Sequence, residues 1–476
     1  MAVELSSSEP LSKSGLSVAP RVAAVLGTTI FSALMLLLVI TAIPYGTVEV
    51  WWKAFFVCSV LSLTILWLIE GSLSDSWIND GLVVVLPVAA LASLSLFQTV
   101  SIPGGSRQAE GLSFPTWNTF SFDPYQTRFF AVQLVALLLV ALLLFRYLST
   151  EKRLRTLINI ILVIVVGSAI FGILRQTTQH KLGFGLPLLP LNSGYGQFIN
   201  KNHFAYLMEM GFGLALGLMI SRGMKREHLL FYAAALLPAW VALVLCGSRG
   251  GLIALMAQVM TAVLIGIAIK DRTVESSHAR FARLGRSWPV RILLLVGFVA
   301  ALAIGTLWIG GEPLAMKIEE SSSQLTAGPD ELREGVTRND IWRTTWKMFL
   351  AHPVLGVGMG AYSTAAPLFH DGSGKKTPQE AHNDYLELLA SGGVVGLLIG
   401  IWFVLIVVRR VKGNLRSRHP FHRAASLGAV IGISGVAVHS LLDFGLHMIV
   451  NAFVFTTLLV IATSKPRWAN PSADQS

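Results

Sequence analysis

Long, nearly uninterrupted apolar runs recur along the chain, and the polar positions are gathered between them. Twelve such runs lie near 22–43, 50–69, 81–99, 128–147, 156–175, 203–221, 228–246, 251–268, 291–309, 393–411, 424–442 and 445–463. Each has the length that an α-helix needs to cross a bilayer. A closed barrel would require short alternating strands, which these uniform runs are not. The pattern therefore predicts an all-α polytopic membrane protein of about 12 transmembrane helices. Three polar stretches are long enough to carry structure of their own: 100–127, 176–202 and 310–392. The last holds an amphipathic helix from Asp340 that halts before Pro353, then a turn-rich link, Gly356–Gly360. A second helix is expected to open on the capping box Thr377-Pro-Gln-Glu380, run to Ala390 and stop at Gly392-Gly393.

Composition agrees. Of 476 residues, 53% are hydrophobic and 13% charged, with a mean hydropathy of +0.64. Soluble domains carry roughly 25% charged residues, so a water-soluble enzyme is excluded. Glycine and proline follow no period, which excludes a collagen-like chain. The net charge of +11 calls for nucleic acid only if topology leaves it unexplained. With a cytoplasmic N-terminus, the inner loops take Lys152, Arg153 and Arg155, the cluster Arg222–Arg226, the stretch Lys270–Arg291, and Arg409–Arg423. Positive charge thus lies inside, and the first run reads as a retained helix rather than a signal peptide. Cys58 and Cys246 suggest neither a disulfide framework nor a zinc site, and read as small buried hydrophobes.

Candidate chemistry gathers at the outer ends of the helices. Arg249, in Cys246-Gly-Ser-Arg-Gly-Gly251, sits in a tight turn between two spans. It either snorkels to the interface or clamps phosphate through its planar fork. Arg338, Arg343 and Lys347 lie on the first loop helix, and the last two, four apart, share a face. The 310–392 stretch holds eleven acidic against seven basic residues, so any positive face there is local. His382, in Ala381-His-Asn-Asp-Tyr-Leu-Glu387, is placed in the first turn of the second loop helix, on one face with Tyr385 and Leu389. There the macrodipole favours neutral imidazole, which accepts a proton from a hydroxyl. Asp443 tops an outward turn, as a helix cap or a functional carboxylate, and Glu209 lies within the sixth span. No Walker motif, dinucleotide loop, metal-ligand spacing or paired-aspartate motif is found.

Several of these segments together resemble the core domain of the bacterial O-antigen ligase and polymerase superfamily. They are Arg343-Thr-Thr-Trp-Lys-Met-Phe, His352-Pro-Val-Leu-Gly-Val-Gly, and His382-Asn-Asp-Tyr-Leu-Glu-Leu-Leu-Ala-Ser-Gly-Gly-Val-Val-Gly-Leu, joined by Cys-Gly-Ser-Arg-Gly-Gly and Asn202-His-Phe-Ala. The resemblance covers roughly 203–410. It divides the chain into a tail (1–21), N-terminal helices (22–202), the core with its periplasmic loop (310–392), a last loop and hairpin (411–463) and a second tail (464–476). It implies a GT-C-like glycosyltransferase of the bacterial inner membrane, with both termini cytoplasmic and its site periplasmic. Such a protein takes a glycan from undecaprenyl diphosphate and joins it to lipid A-core, another glycan or, in some members, a protein, with neither metal nor nucleotide cofactor. On this chain, the resemblance points to His382 as the catalytic residue and to Arg249, Arg343, Arg338 and Lys347 on the diphosphate. Asn383, Asp384, Tyr385 and Asp443 would support them, in an inverting transfer. A ligase and a polymerase of surface polysaccharide both fit. The reading from another class is a transporter or flippase, whose polar groups would sit near the bilayer midplane.

Overall fold

The computed structural model describes residues 18–43, 45–77, 81–102, 118–178, 194–221, 226–268, 338–370 and 378–469. Every expected apolar run that falls among these residues forms a helix; the run near 291–309 lies outside them. In chain order they are α1 (Val18–Ala42), α2 (Val50–Ser74), α3 (Leu82–Gln98), α4 (Pro124–Tyr147), α5 (Glu151–Thr178), α6 (Lys201–Ile220), α7 (Arg226–Leu245), α8 (Arg249–Ala268), α9 (Arg338–Ala351), α10 (Asp384–Asn414), α11 (Pro420–His439) and α12 (Ile449–Thr463). Seven are long and apolar enough to cross a membrane; α3, α7, α8 and α12 carry shorter apolar stretches. Among the described residues the only strand-like pairings are the bridges Ser101–Thr119 and Tyr195–Phe198. Cys246 is buried, whereas Cys58 is exposed, because its position on α2 faces outward from the bundle.

α6 is the axis of the bundle, with every residue from His203 to Leu218 buried. Its seam with α11 is made of glycine on both sides. A Cβ on Gly213 would lie 2.4 Å from the nitrogen of Gly432, and one on Gly217 only 2.2 Å from the Cα of Gly428. Paired small residues four apart let two helices meet backbone to backbone, as membrane helices do when packing must replace hydrophobic drive. This seam sets the N-terminal end of α6 directly against the turn that follows α11.

The second loop helix departs from expectation in two ways. It begins at Asp384, because Asn383 is its N-cap and accepts from Tyr385 N (3.1 Å) and Leu386 N (3.0 Å). The expected capping box therefore does not start it: Pro378–Ala381 is irregular, Thr377 lies outside the described residues, and Glu387 instead reaches back to Ala381 N (2.9 Å). Nor does the helix stop at Gly392-Gly393. It continues as α10 to Asn414, broken at Gly393 by φ +62° and ψ −162°. The break is a docking slot. Val357 N and Gly358 N donate to the freed carbonyls of Ala390 (2.9 Å) and Ser391 (3.0 Å), while Val394 N donates to Pro353 O (2.8 Å). A Cβ at Gly393 would meet Val354 O at 2.2 Å. Gln98, buried at the end of α3, completes the knot by donating to Leu355 O (2.5 Å) and Ser391 O (2.8 Å) and accepting from Met359 N (2.9 Å). The expected link Gly356–Gly360 is a true turn, with its three glycines all at positive φ. It carries α9 onto α10 through a small core of Met348, Val357, Tyr362 and Ala390.

Candidate functional site

His382 is not on the helix. It precedes the N-cap with φ +49°, a left-handed backbone that a side-chain-bearing residue rarely adopts, so strain is held at this position. The expected shared face with Tyr385 and Leu389 is lost with the helix register, and Tyr385 instead donates to Ala437 O (2.7 Å). What His382 faces is the Ser440–Met448 turn. Its Nδ1 lies 3.2 Å from Asp443 Oδ1, and Asp384 N donates to Ser440 O (2.9 Å), which pins the two segments together.

Asp443 is fully buried and is the hub of the site. Its carboxylate accepts from Phe444 N (3.0 Å) and from the Asn202 side chain at the start of α6. Arg338 Nη2, at the start of α9, stands 3.8 Å from its second oxygen. Tyr206 O–H donates to Asp443 O (3.2 Å) and lies equally close to Ser440 Oγ. Burial pushes the Asp443 carboxyl up, but the hydrogen bond to His382 and the charges of His203 and His382 outweigh it and bring it down to about 2. Phe444 stands edge-on between His203 and His382, with ring centroids 4.9 Å from each.

The basic candidates divide. Arg338 joins the hub. Arg343 and Lys347 lie further along α9 on its exposed face, opposite Ile341, Thr344, Thr345 and Met348, which are buried. Arg249 opens α8, whose first turn is capped by Ser248 Oγ accepting from Gly251 N (3.1 Å). The next residue, Gly250, is pressed against His439: a Cβ there would lie 2.4 Å from His439 Nε2. The start of α8, where Arg249 lies, is thereby set at a corner beside His439, four residues before Asp443 in the chain.

A buried pair underlies that corner. His439 Nδ1 and Glu209 Oε1 are 2.6 Å apart, both side chains essentially inaccessible, and Tyr206 stacks on the imidazole at 4.2 Å. Glu209, a lone intramembrane carboxylate in the sequence, thus acquires a partner 230 positions away. His203, Tyr206, His439 and Ser440 were missed by sequence reasoning. The one signal was His203 within the segment Asn202-His-Phe-Ala, which was given no role of its own.

The opposite face of the same turn carries a second cluster, of which the sequence reading singled out only Asp384 as a site residue. His447 lies 3.4 Å from Glu380, 3.5 Å from Glu387 and 3.8 Å from Asp384. Burial pulls the His447 imidazole down, but Glu380 and then Glu387 lift it to about 10. Burial likewise pushes Glu380 up, yet His447 holds it below the usual carboxylate range. Glu380, Glu387 and His447 bring one ligand atom each to within 4.8 Å of one another, the spacing among the described residues that would admit a cation. An imidazolium already occupying the carboxylates would compete with it.

A search of curated proteins finds no match. Residues 233–401 match the family model described as O-antigen ligase, a segment that contains Arg249, Arg338, Arg343, Lys347 and His382. Over that segment, about a third of the chain, the protein is similar to the O-antigen ligase family, which supports an O-antigen ligase/polymerase assignment.

Proposed function

We propose that this protein is a membrane glycosyltransferase of the O-antigen ligase type, moving a glycan from undecaprenyl diphosphate to an acceptor hydroxyl. Its site would face the periplasm at the bacterial inner membrane. The observation that carries this reading is the His382–Asp443 contact. An ionised Asp443 can only accept, so it draws the N–H of His382 to Nδ1 and leaves the Nε2 lone pair for substrate. His382 then takes the proton of the acceptor hydroxyl as that oxygen attacks the anomeric carbon. The bond to the diphosphate oxygen breaks in line on the far side, inverting the centre. The departing diphosphate gathers negative charge, which Arg338 beside Asp443 and Arg249 at the start of α8 would support, with Arg343 and Lys347 along the exposed face of α9. Asn202 and Phe444 N hold Asp443, and Asn383 holds the segment that carries His382.

The test is incubation of the purified protein in detergent with a polyprenyl diphosphate-linked oligosaccharide, followed by sizing of the products. One transfer only after lipid A-core is added supports a ligase. A ladder from donor alone makes the protein a polymerase. No transfer to any acceptor sinks the reading.

A further inference from the structure

The acidic face of the Ser440–Met448 turn opens into a cavity of about 510 Å³ that the chemistry above does not use. Its mouth is polar, with Glu380, Asp384, Glu387, His447 and Lys53 around it. Below the mouth it becomes an apolar trunk between α4 and α12. The α4 wall runs from Gln126 to Phe145 and the α12 wall from Ile449 to Val460. The shorter α12 wall rises about 17 Å, roughly one leaflet of the ~30 Å hydrocarbon thickness of a bilayer. The trunk therefore has the reach of one extended hydrocarbon chain.

Two polar groups in the wall want a ligand. Ser391 is 2% exposed, lines the cavity, and its hydroxyl has no hydrogen-bond partner among the described residues. Asp384 Oδ2, one face-repeat above it on α10, is in the same condition. A buried polar group without a partner costs about 1–3 kcal/mol unless a ligand or water satisfies it. The unmet capacity is a carboxylate acceptor plus a hydroxyl, flanked by two further carboxylates. Three carboxyl groups stand against His447 and Lys53, so the mouth offers a phosphate no excess of positive charge, whereas sugar hydroxyls donate to carboxylates and exchange hydrogen bonds with serine.

We propose that this cavity binds a saccharide-headed lipid, its chain in the trunk between α4 and α12 and its sugar hydroxyls on Asp384, Glu387 and Ser391. Resting on the transferase reading, the occupant is the lipid-anchored acceptor, since Asp384 is two residues from His382.

The probe is a hexadecyl glucoside with a diazirine near the chain end, photolinked to the full-length protein in lipid nanodiscs and located by peptide mass spectrometry. Label should fall on α4 and α12. Unlabelled hexadecyl glucoside should compete at least tenfold better than hexadecyl phosphate. Ser391→Ala, which keeps the backbone bonds of Ser391, should weaken binding about tenfold, as should Asp384→Asn. Leu138→Trp should block the trunk. Competition by the phosphate lipid at equal or lower concentration overturns the proposal, as does labelling indifferent to Ser391→Ala and Leu138→Trp, which would be plain annular lipid. His382→Ala keeps the label and loses transfer. A protein that labels as expected but transfers nothing refutes the transferase reading and keeps the site. One that transfers but does not label refutes the site alone.

Discussion

At the scale of single residues, the site depends on one buried carboxylate with several dependents. Asp443 fixes the tautomer of His382, so Asp443→Asn should lower turnover by about 10²–10⁴-fold, in the range of lost general-base catalysis, with little change in protein yield. His382→Ala should match it, and the double variant should be no worse than either alone. Single-turnover assays with lipid-linked donor check this; additive losses would separate the two residues. His447 makes a pH prediction. Its folded pKa of about 10 lies above the ~6.5 of an unfolded histidine. The folded state therefore holds the extra proton between those values. That stabilisation is complete below about 6.5 and is lost as the pH rises through about 10. The thermal midpoint in detergent should fall across that window, and His447→Gln should flatten the fall. A wild-type midpoint rising from pH 7 to 10 would contradict the assignment.

At the scale of elements, the break in α10 does what a loop alone does not. It exposes two carbonyls and two N–H groups within an otherwise regular helix and commits them to the Pro353–Gly358 segment, so α9 and the His382 segment are held by one helix. Gly393→Ala should cost about 2–3 kcal/mol from the left-handed backbone alone. The clash with Val354 O adds to it. Denaturation of the purified variant measures this. An unchanged midpoint would mean that the slot is not closed in solution. The expected stop at Gly392-Gly393 located the irregularity but not its form. Two adjacent glycines read equally as a terminus or as a break, and only the segment that docks there distinguishes them.

At the scale of the molecule, the α6–α11 seam joins two halves of the site: Asn202, Tyr206 and Glu209 on one side, His439 and Asp443 on the other. The backbones meet at Gly213–Gly432 and Gly217–Gly428 with no room for a Cβ. Gly217→Leu should therefore force the helices apart, lowering both the thermal midpoint and activity, while Ile65→Val on the outward face of α2 should change neither. Thermal unfolding followed by circular dichroism, alongside transfer assays, reads both. Retained activity with a lowered midpoint would show that the seam supports the fold without aligning the site.

The apolar runs by themselves determined where helices form, because covering backbone polar groups in lipid leaves a chain of this kind little other choice. Local motif chemistry also identified His382, Asp443, Arg249 and Arg338 as candidates, since charged and imidazole groups at helix ends stand out against so apolar a background. Tertiary structure alone decided which of them meet. His382 reaches Asp443 across 61 positions and Glu209 reaches His439 across 230, through a glycine seam and a helix break whose pairing no local pattern encodes. It also decided that Arg343 and Lys347 lie on an exposed face while Arg338 stands beside the carboxylate. A helix of apolar residues has several faces that lipid and protein accept equally well. Only close packing at small residues selects among them, and with that choice places the chemistry.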